Sequence, residues 1–578
     1  MDRQAWIAVT LCVIGLVLWQ IYMTTHPAPP MRANASPTPA APVAESSPIN
    51  PPPSGVVSPA PSATPQLAET TSSFKEKTEI LRNADAELRL TNRGGGISEV
   101  VLLNHAAENG RRVVLNAKDR TPIGAIVNQP ATATLPEFAM ARQADGSVQF
   151  ERKTPEQIAL RKKFFFAPNS ERKDNFVAEM DLDFRNDGTQ VYDNPDYFIT
   201  LGSARPIHPN DIPTYTHLTW CISGKAKSID VSWFAAQNSF FGLQKRSARE
   251  FYQEKLPAAE WMGVSNQFFA TLLVPLNSKA NGAWGRRFEI SQPDAPSLPA
   301  IEGAMGMPGF QLKPGETSTL RFELYAGPKL YHRLAQLEHN EAEIMDFGIL
   351  KIVSQALLNL MNLLHQFLGN YAAAIFALTT IVKLTLWPLQ NKANRSMRRM
   401  SVLSPKMQEL REKYKDDPTR MNQEVMKLYK EYGVNPVSGC LPMLIQIPIF
   451  FGLFTMLRQA VELRNASFLW VRDLSQPDTI GHLPVLGWPI NILPLIMAAT
   501  NVWMMRITPK SGDATQQRVM MFTPIIFVVF CYNFAAALAL YYTTQNLFTI
   551  LQLYQNRRQP MPTLEKVTPP GKKSRKGR

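Results

Sequence analysis

The apolar residues of this chain are concentrated in long runs near its C-terminal end, and no other feature constrains the fold as strongly. Residues 370–555 are dominated by such runs, whereas residues 24–345 are largely polar. The slightly negative mean hydropathy, −0.15, therefore averages over two opposed halves. A soluble globular protein rarely segregates its apolar residues in this way, so the pattern predicts an aqueous domain joined to a membrane domain.

Six segments are apolar and long enough to be membrane spans, because about 20 apolar residues cross the hydrocarbon core. A secretory signal peptide is the alternative for the first segment, since Ala33-Asn34-Ala35 resembles a cleavage site. The apolar part of a signal peptide has only about 7–15 residues, so we predict an uncleaved anchor. The predicted spans are Ala5–Met23, Tyr371–Leu389, Cys440–Leu457, Leu486–Met505, Val519–Phe534 and Ala535–Tyr554.

The segments outside the spans differ in composition, and this divides the chain into regions. Residues 75–330 alternate short β-prone runs, such as Arg112–Leu115 and Thr319–Leu324, with glycine-containing turns, which is typical of an antiparallel β-sandwich. The predicted regions are an anchor (1–26), a Pro/Ala/Ser-rich linker (27–74), the β-domain (75–330), an interfacial helical segment (331–370), a membrane core (371–555) with a helical hairpin (391–434), and a basic tail (556–578).

Two helical features flank the second span. Apolar and polar residues alternate with helical spacing from Phe347 to Phe367, which predicts an amphipathic helix on the membrane surface that ends at Gly369-Asn370. After the span, Ser404–Lys415 and Thr419–Tyr432 are charged and helix-forming, and a turn containing Pro418 separates them. They predict an antiparallel helical hairpin in water.

The distribution of basic residues predicts the orientation. Residues 391–439 carry eleven Lys/Arg against six Asp/Glu, and residues 556–578 carry eight against one. Residues 459–485 carry only two Arg against three acidic residues. Because basic loops stay in the cytoplasm, the hairpin and both termini are predicted to lie inside and the β-domain outside.

Lys383 is the candidate functional residue, because it lies within the second span. A charged side chain at the centre of a bilayer costs roughly 2.5–3.5 kcal/mol on insertion scales. The lysine is six residues from Leu389, or about 9 Å from the predicted end of the span. It could therefore snorkel to the headgroups. The alternative is a water-filled cavity that opens to the cytoplasm.

Polar residues in three spans favour the cavity, because polar groups that face lipid would lack partners. Thr379 is one turn from Lys383, Gln446 lies in the third span, and the sixth span carries a polar stripe. Hydrogen bonds that merely hold the helices together remain the alternative. The stripe consists of Tyr542, Gln545, Asn546 and Thr549.

The sequence contains no catalytic or cofactor motif. It has no phosphate-binding loop, no Gly-x-Ser-x-Gly, no His-Glu-x-x-His and no Cys-x-x-Cys, and its four cysteines lack metal-ligand spacing. The predicted spans contain no Asp or Glu, which a coupled pump normally needs. We therefore expect a protein that is not an enzyme and that uses no cofactor.

Several motifs resemble the YidC family of membrane protein insertases. The most specific is Asn435–Phe450, NPVSGCLPMLIQIPIF, which resembles the family motif at the start of the third span. Trp387-Pro388-Leu389, Leu538–Tyr542 and, in the polar domain, Asn266–Ala270 and Gly327-Pro328 are similar to further family patterns. They occur in the family's order over nearly the whole chain, and the large domain after the first span resembles the Gram-negative form.

The resemblance implies a fold and a function. Five core helices would enclose a hydrophilic groove that opens to the cytoplasm and to lipid, and the polar domain would be a periplasmic β-supersandwich. The chain would insert new membrane proteins into the bacterial inner membrane, alone or with the Sec translocon and its accessory subunits. Membrane lipids and the ribosome, held by the hairpin and tail, would be further partners. The groove would be lined by Lys383, Thr379, Gln446, Tyr541, Tyr542, Gln545 and Asn546.

The chain departs from the family pattern at two places. Lys383 replaces the usual groove arginine, and Ala535-Ala536-Ala537 replaces a Pro-Ser/Ala-Gly turn between the last two spans. A lysine keeps its charge only while its pKa stays high, whereas an arginine is always charged. The first departure therefore affects the charge of the groove, and the second affects the geometry of the turn.

Two other functions are compatible with parts of the sequence. A solute transporter would need coupling residues or inverted repeats, which the sequence lacks. An envelope scaffold could bind glycans through the β-domain, but that would not explain Lys383 or the hairpin. Deletion of most of residues 75–320 should leave an insertase active and should inactivate a glycan binder.

Overall fold

The computed structural model describes residues 74–560, except residues 108–109, 133, 167–173, 239–243, 293–294, 416, 435–436, 485–486 and 509–530. The predicted anchor, nearly all of the linker, most of the fifth span and the tail beyond residue 560 lie outside the described residues.

The polar half forms antiparallel sheets that order the chain from residue 78 to residue 328. The strands are β1 (Thr78–Arg82), β2 (Ala86–Thr91), β3 (Gly96–Ala106), β4 (Arg112–Leu115), β5 (Ile126–Val127), β6 (Ala139–Arg142), β7 (Val148–Lys153), β8 (Ile158–Phe165), β9 (Val177–Asn186), β10 (Tyr192–Asn194), β11 (Tyr197–Ala204), β12 (His217–Ile222), β13 (Lys225–Asp230), β14 (Gln237–Asn238), β15 (Gln244–Arg246), β16 (Phe251–Ala259), β17 (Trp261–Ser265), β18 (Phe269–Pro275), β19 (Ala280–Gln292), β20 (Ala295–Met307), β21 (Phe310–Leu312) and β22 (Thr317–Pro328).

Two large sheets pack against each other, as the predicted sandwich requires. One has nine strands in the order β13-β12-β17-β18-β22-β9-β8-β7-β6, and the other has five in the order β16-β19-β20-β11-β5. Strand β11 of the smaller sheet contacts β17 and β18 of the larger one. The alternation that predicted strands also produces this packing, since alternate residues of β8 and β9 face one core. A further sheet of four strands, β1 to β4, packs on the same core.

A buried lysine joins two turns to the large sheet. Lys162 occupies an inward position of β8, and its side chain is fully buried. Its Nζ donates hydrogen bonds to the carbonyl oxygens of Gly94, Gly95 and Gly124 at 2.8, 2.9 and 2.8 Å. Burial lowers the pKa of Lys162 to about 7. Gly94 and Gly95 have positive φ angles, so the chain turns here and this turn needs glycine.

The rest of the described chain is mainly helical. The helices are α1 (Tyr331–Leu334), α2 (Lys351–Leu368), α3 (Tyr371–Lys413), α4 (Pro418–Glu431), α5 (Val437–Gln459), α6 (Ile492–Ile507) and α7 (Ala536–Arg557).

Helix α2 is the predicted amphipathic helix, although it begins at Lys351 rather than Phe347. Leu358 and Met361 are buried, whereas Ile352 and Phe367 on the other side are 83% and 80% exposed. The helix ends where the sequence predicted, because Gly369 adopts the left-handed conformation of a C-terminal cap.

Helix α3 is longer than predicted and joins two regions that were expected to be separate. It runs through the second span and directly into the first arm of the hairpin, with Pro388 and Pro405 inside it. By length and composition it could cross a bilayer, and α6 is a shorter apolar helix. The second arm, α4, starts at Pro418, with the Asp417 carboxylate accepting a hydrogen bond from the Arg420 N–H.

Helix α6 begins later than the predicted fourth span, Leu486–Met505. The chain instead forms a hairpin of β23 (Thr479–His482) and β24 (Pro489–Asn491), and α6 begins only at Ile492. Gly487 has a positive φ angle and Pro489 cannot donate a backbone hydrogen bond, so this stretch turns before the helix can begin. Apolar composition alone does not distinguish such a hairpin from a helix.

Candidate functional site

Helix α7 is the centre of the described membrane core. It contacts α3, α5 and α6, and its polar side chains point toward these neighbours. The four helices carry no Asp or Glu from Tyr371 to Gln408, from Val437 to Gln459, or in α6 and α7. Any net charge in this core is therefore positive.

Lys383 is buried, with 3% of its surface exposed, and it contacts α7. Its Nζ donates a hydrogen bond to Thr549 Oγ1 at 2.9 Å, and that hydroxyl donates to the carbonyl of Gln545, also at 2.9 Å. The ammonium has a polar partner but faces no acidic residue on these helices. This arrangement can attract a negative charge that comes from outside the chain.

Gln446 extends the same set of contacts to α5. Its Nε2 donates hydrogen bonds to the Tyr541 hydroxyl and to Gln545 Oε1, both at 3.3 Å. Gln545 therefore takes part in both groups, one through its backbone and one through its side chain. Lys383, Thr549, Gln545, Gln446 and Tyr541 form a continuous polar series, which we name the polar chain.

Three of the candidate residues lie near the polar chain but outside its hydrogen bonds. The Thr379 hydroxyl donates to the Ile375 carbonyl of its own helix at 2.7 Å. Asn546 is turned toward α6, where its Nδ2 donates to Thr500 Oγ1 at 3.2 Å. The Tyr542 ring packs edge-on against Phe450. The contacts of Asn546 and Tyr542 attach α7 to α6 and α5, whereas the Thr379 bond stays within α3.

The polar stripe of α7 continues beyond the residues considered from sequence. Gln552 donates to Asn391 Oδ1 at 2.8 Å, and Asn556 donates to the same oxygen at 3.4 Å. Arg398 then donates to the Asn556 carbonyl at 2.6 Å. Positions 552 and 556 follow 545 and 549 at helical spacing, so the same periodicity could have identified them.

The N-terminal end of α7 is held by the loop that follows α5. The N–H groups of Ala536 and Ala537 donate to the carbonyls of Gln476 and Leu474 at 2.8 and 3.0 Å. These bonds satisfy two of the donors that a helix N-terminus leaves free. Ala536 and Ala537 are fully buried there, so small side chains suit this turn.

The side chains of the polar chain are amides, hydroxyls and one ammonium. Within the described residues, no group of His, Cys, Asp and Glu is suited to holding a metal ion. The polar chain pairs no nucleophile with a general base. The groups of the polar chain can bind water in a cavity, donate hydrogen bonds to peptide carbonyls and balance a negative charge.

Comparison with known families covers most of the chain. Residues 81–360 match the family model described as YidC periplasmic domain, and residues 363–562 match the model described as 60Kd inner membrane protein. The boundary between the two matches falls within α2.

Similar proteins carry the same description. A membrane protein insertase YidC from Syntrophus aciditrophicus is 30% identical over 97% of this chain and 100% of its own length. One from Cupriavidus necator is 32% identical over 80% of each chain. A crystal structure of an active YidC insertase covers 84% of this chain and 95% of its own at 18% identity, but its TM-score of 0.35 carries no structural argument. From the two family models and the full-length similarity, the chain belongs to the YidC family of membrane protein insertases.

Proposed function

We propose that the polar chain lines a hydrophilic groove that receives the translocated segment of a new membrane protein, and that Lys383 attracts acidic residues of that segment. The observation that carries the proposal is the burial of Lys383 within a helix stretch, Tyr371 to Gln408, that has no acidic residue and packs on acid-free helices. Since a buried charge is expensive in lipid, an unneutralised one is a candidate for function.

The groove would act by shortening the hydrophobic barrier. A short polar segment enters it from the cytoplasm, and its acidic groups are balanced by Lys383. The following apolar segment meets α5 and the fifth span and moves sideways into lipid. Transfer of about 20 apolar residues supplies the driving force, so this chain needs no nucleotide and performs no catalysis.

The proposed topology has six spans in the bacterial inner membrane, with both termini in the cytoplasm and the β-domain in the periplasm. The basic hairpin supports this orientation, since α3 passes from the Lys383 region into the hairpin arm as one helix. The exposed apolar side of α2 fits a position on the periplasmic surface of the inner membrane.

The proposed partners follow from the same arrangement. The hairpin and the basic tail would hold the ribosome through phosphate contacts, and the tail could equally bind anionic lipid. The Sec translocon and its accessory subunits are proposed as partners on family resemblance alone.

A matched pair of client proteins tests the groove. The two clients differ only in having Asp or Asn in the translocated segment. Lys383→Ala should slow insertion of the Asp client by roughly tenfold and largely spare the Asn client, whereas Lys383→Arg should insert both. Thr385→Ala is the control, because Thr385 lies on the same helix with an exposed side chain.

Two results would contradict the proposal. If Lys383→Ala slows neither client while the variant accumulates normally, the charge has no role in insertion. If both clients are slowed equally and the variant is unstable, Lys383 acts only in the stability of the core.

A further inference from the structure

The hairpin formed by β23 and β24 stands apart from the other sheets. Its two short strands pair only with each other, and Leu483 and Trp488 close the turn, the Leu483 N–H donating to the Trp488 carbonyl at 2.9 Å. We name residues 479–484 and 487–491 the outer hairpin. Its large apolar side chains are open, with Ile480 56%, Leu483 42% and Trp488 65% exposed.

The outer hairpin is poorly suited to water. An isolated hairpin of two strands is marginally stable in aqueous solution at best, and exposed apolar clusters mark a surface that is covered by something else. No Asp, Glu, Lys or Arg occurs from Thr479 to Met505, so no charge keeps the segment in water. The covering partner must therefore be apolar and without a specific charge.

The position of the outer hairpin identifies that partner as lipid. The hairpin leads through Asn491 directly into α6, which has 16 residues and a length of about 24 Å. A hydrocarbon core is about 30 Å thick. Arg506 in the last turn of α6 fixes the cytoplasmic end, so the missing length lies at the outer end, where the hairpin is.

The base of the outer hairpin is firmly held, so its direction is set. The buried Asp478 carboxylate accepts hydrogen bonds from the Leu493 N–H at 2.6 Å and from Trp470 Nε1 at 3.1 Å. Asn491 Oδ1 accepts one from the Thr479 hydroxyl at 2.6 Å, and its Nδ2 donates to the Tyr532 carbonyl at 2.8 Å. These contacts fix the base to α6 and to Tyr532 at the end of the predicted fifth span, while Leu483 and Trp488 remain exposed.

We propose that the outer hairpin lies in the interfacial layer of the outer leaflet, with Leu483 and Trp488 among the upper acyl chains, and completes the short span α6. Its own backbone pairing satisfies part of its polar groups, and the interfacial layer can satisfy the rest, which the hydrocarbon centre could not. Tryptophan favours this depth because its ring is apolar and its N–H is polar. The inference rests on the proposed topology.

Depth-dependent quenching tests the proposal on the full-length protein. Cys12, Cys221, Cys440 and Cys531 are replaced by Ser, and a bimane probe is attached through Trp488→Cys or, as control, through Arg472→Cys, an exposed position of the same outer loop. The protein is reconstituted in phosphatidylcholine vesicles with or without brominated acyl chains. Bromine near the glycerol end should quench the probe at 488 roughly threefold more than the probe at 472, and aqueous iodide should show the reverse preference.

Other outcomes are equally readable. Equal quenching by brominated lipid at 488 and 472 would place the hairpin in water and overturn the proposal. Protection of the probe at 488 from both brominated lipid and iodide would mean that protein covers the hairpin, which also overturns it. If replacing the cysteines lowers insertion activity, Leu483→Cys in a background that retains the two buried cysteines, Cys221 and Cys531, provides the second probe.

Failure of the topology is detected separately. In intact spheroplasts, Arg472→Cys should react with a maleimide that cannot cross the membrane. A residue 472 that reacts only after lysis would refute the proposed orientation, whereas the vesicle measurement on residue 488 reports the lipid contact in either orientation.

Discussion

Asp211 of the β-domain and Arg464 of the loop after α5 form a buried ion pair, with Oδ1 and Nη1 3.9 Å apart. Their side chains are 2% and 6% exposed. Asp211 also accepts hydrogen bonds from Gln476 Nε2 and from the N–H groups of Ile207 and His208, each at 2.9 Å. Since the Gln476 carbonyl accepts a bond from α7, this carboxylate connects the β-domain to the N-terminal end of α7.

Removal of Asp211 should therefore be severe. Asp211→Ala leaves Arg464 buried without its charge partner, which typically costs about 3–5 kcal/mol. Thermal unfolding in detergent micelles should show a strongly lowered Tm, and adding Arg464→Met should restore part of it. Glu151→Ala is the control, because its partner Arg161 is half exposed and such pairs contribute little. A Tm change no larger than that of the control would show that the pair is unimportant.

Loss of Lys162 should loosen the turns that it holds. Lys162→Met removes the donor for three carbonyls, so the free energy of unfolding should fall by roughly 2–4 kcal/mol. Lys163→Met, next to it but paired with Asp145 at the surface, should change it little. The stability of both variants is measured by following the loss of the β-sheet circular dichroism signal on heating. Equal stability of the two variants would contradict this role.

The stability of the β-domain should rise with pH above 7. Burial lowers the pKa of Lys162 to about 7 from its ordinary 10.5. Between these values the unfolded chain binds more protons than the folded one, so raising the pH disfavours unfolding, and below pH 7 this contribution is constant. The pKa of Lys329 is lowered in the same way, so Lys162→Met should reduce the pH dependence rather than abolish it. Tm values measured at pH 7, 8 and 9 should rise with pH. A Tm that is independent of pH would contradict the prediction.

The C-terminal end of α7 should loosen without Arg398. Its guanidinium donates hydrogen bonds to the carbonyls of Asn556, Gln559 and Pro560, which satisfies groups that a helix end leaves free. Arg398→Ala should accelerate amide exchange in residues 552–560 by roughly tenfold. Arg399→Ala, at an exposed position next to it, is the control. Unchanged exchange would mean that other contacts hold this end.

Thr549 should contribute to the groove through Lys383. Thr549→Val keeps the shape of the side chain and removes the hydroxyl that accepts the Lys383 hydrogen bond. Insertion of the Asp client should fall by roughly threefold, less than with Lys383→Ala, because the charge remains. Thr385→Val controls for the same change at an exposed site. An effect as large on the Asn client would indicate a packing role.

The sequence predicted elements whose pattern is local. Alternation in β8 and β9, helical spacing in α2, and the polar stripe of α7 each follow from neighbouring residues, and the structure contains all three. Lys162 also occupies an inward position in the alternation of β8, although a charged residue is not expected to be buried there. The resemblance added the membrane function, which composition alone does not specify.

The remaining features depend on contacts that no local pattern encodes. Gln476 reaches Asp211 across 265 residues of sequence, and neither residue is unusual in its own segment. Residues 486–491 were predicted as the start of the fourth span, because their composition is as apolar as that of a helix. Thr379 and Asn546 were predicted to line the groove, but the Thr379 hydroxyl bonds to a carbonyl of its own helix and Asn546 bonds to Thr500 of α6.

The continuity of α3 has a mechanical consequence. Lys383 and the first arm of the helical hairpin lie on the same helix, α3, which has 43 residues and is about 65 Å long. A force applied to the arm therefore bends or tilts the segment that bears the lysine. The helix is weakest where Pro388 removes a backbone hydrogen bond, less than two turns beyond Lys383. A force on the hairpin therefore reaches the segment around Lys383 through the flexible part of the helix at Pro388. The flexibility of the helix at residue 388 determines how much of the force is transmitted.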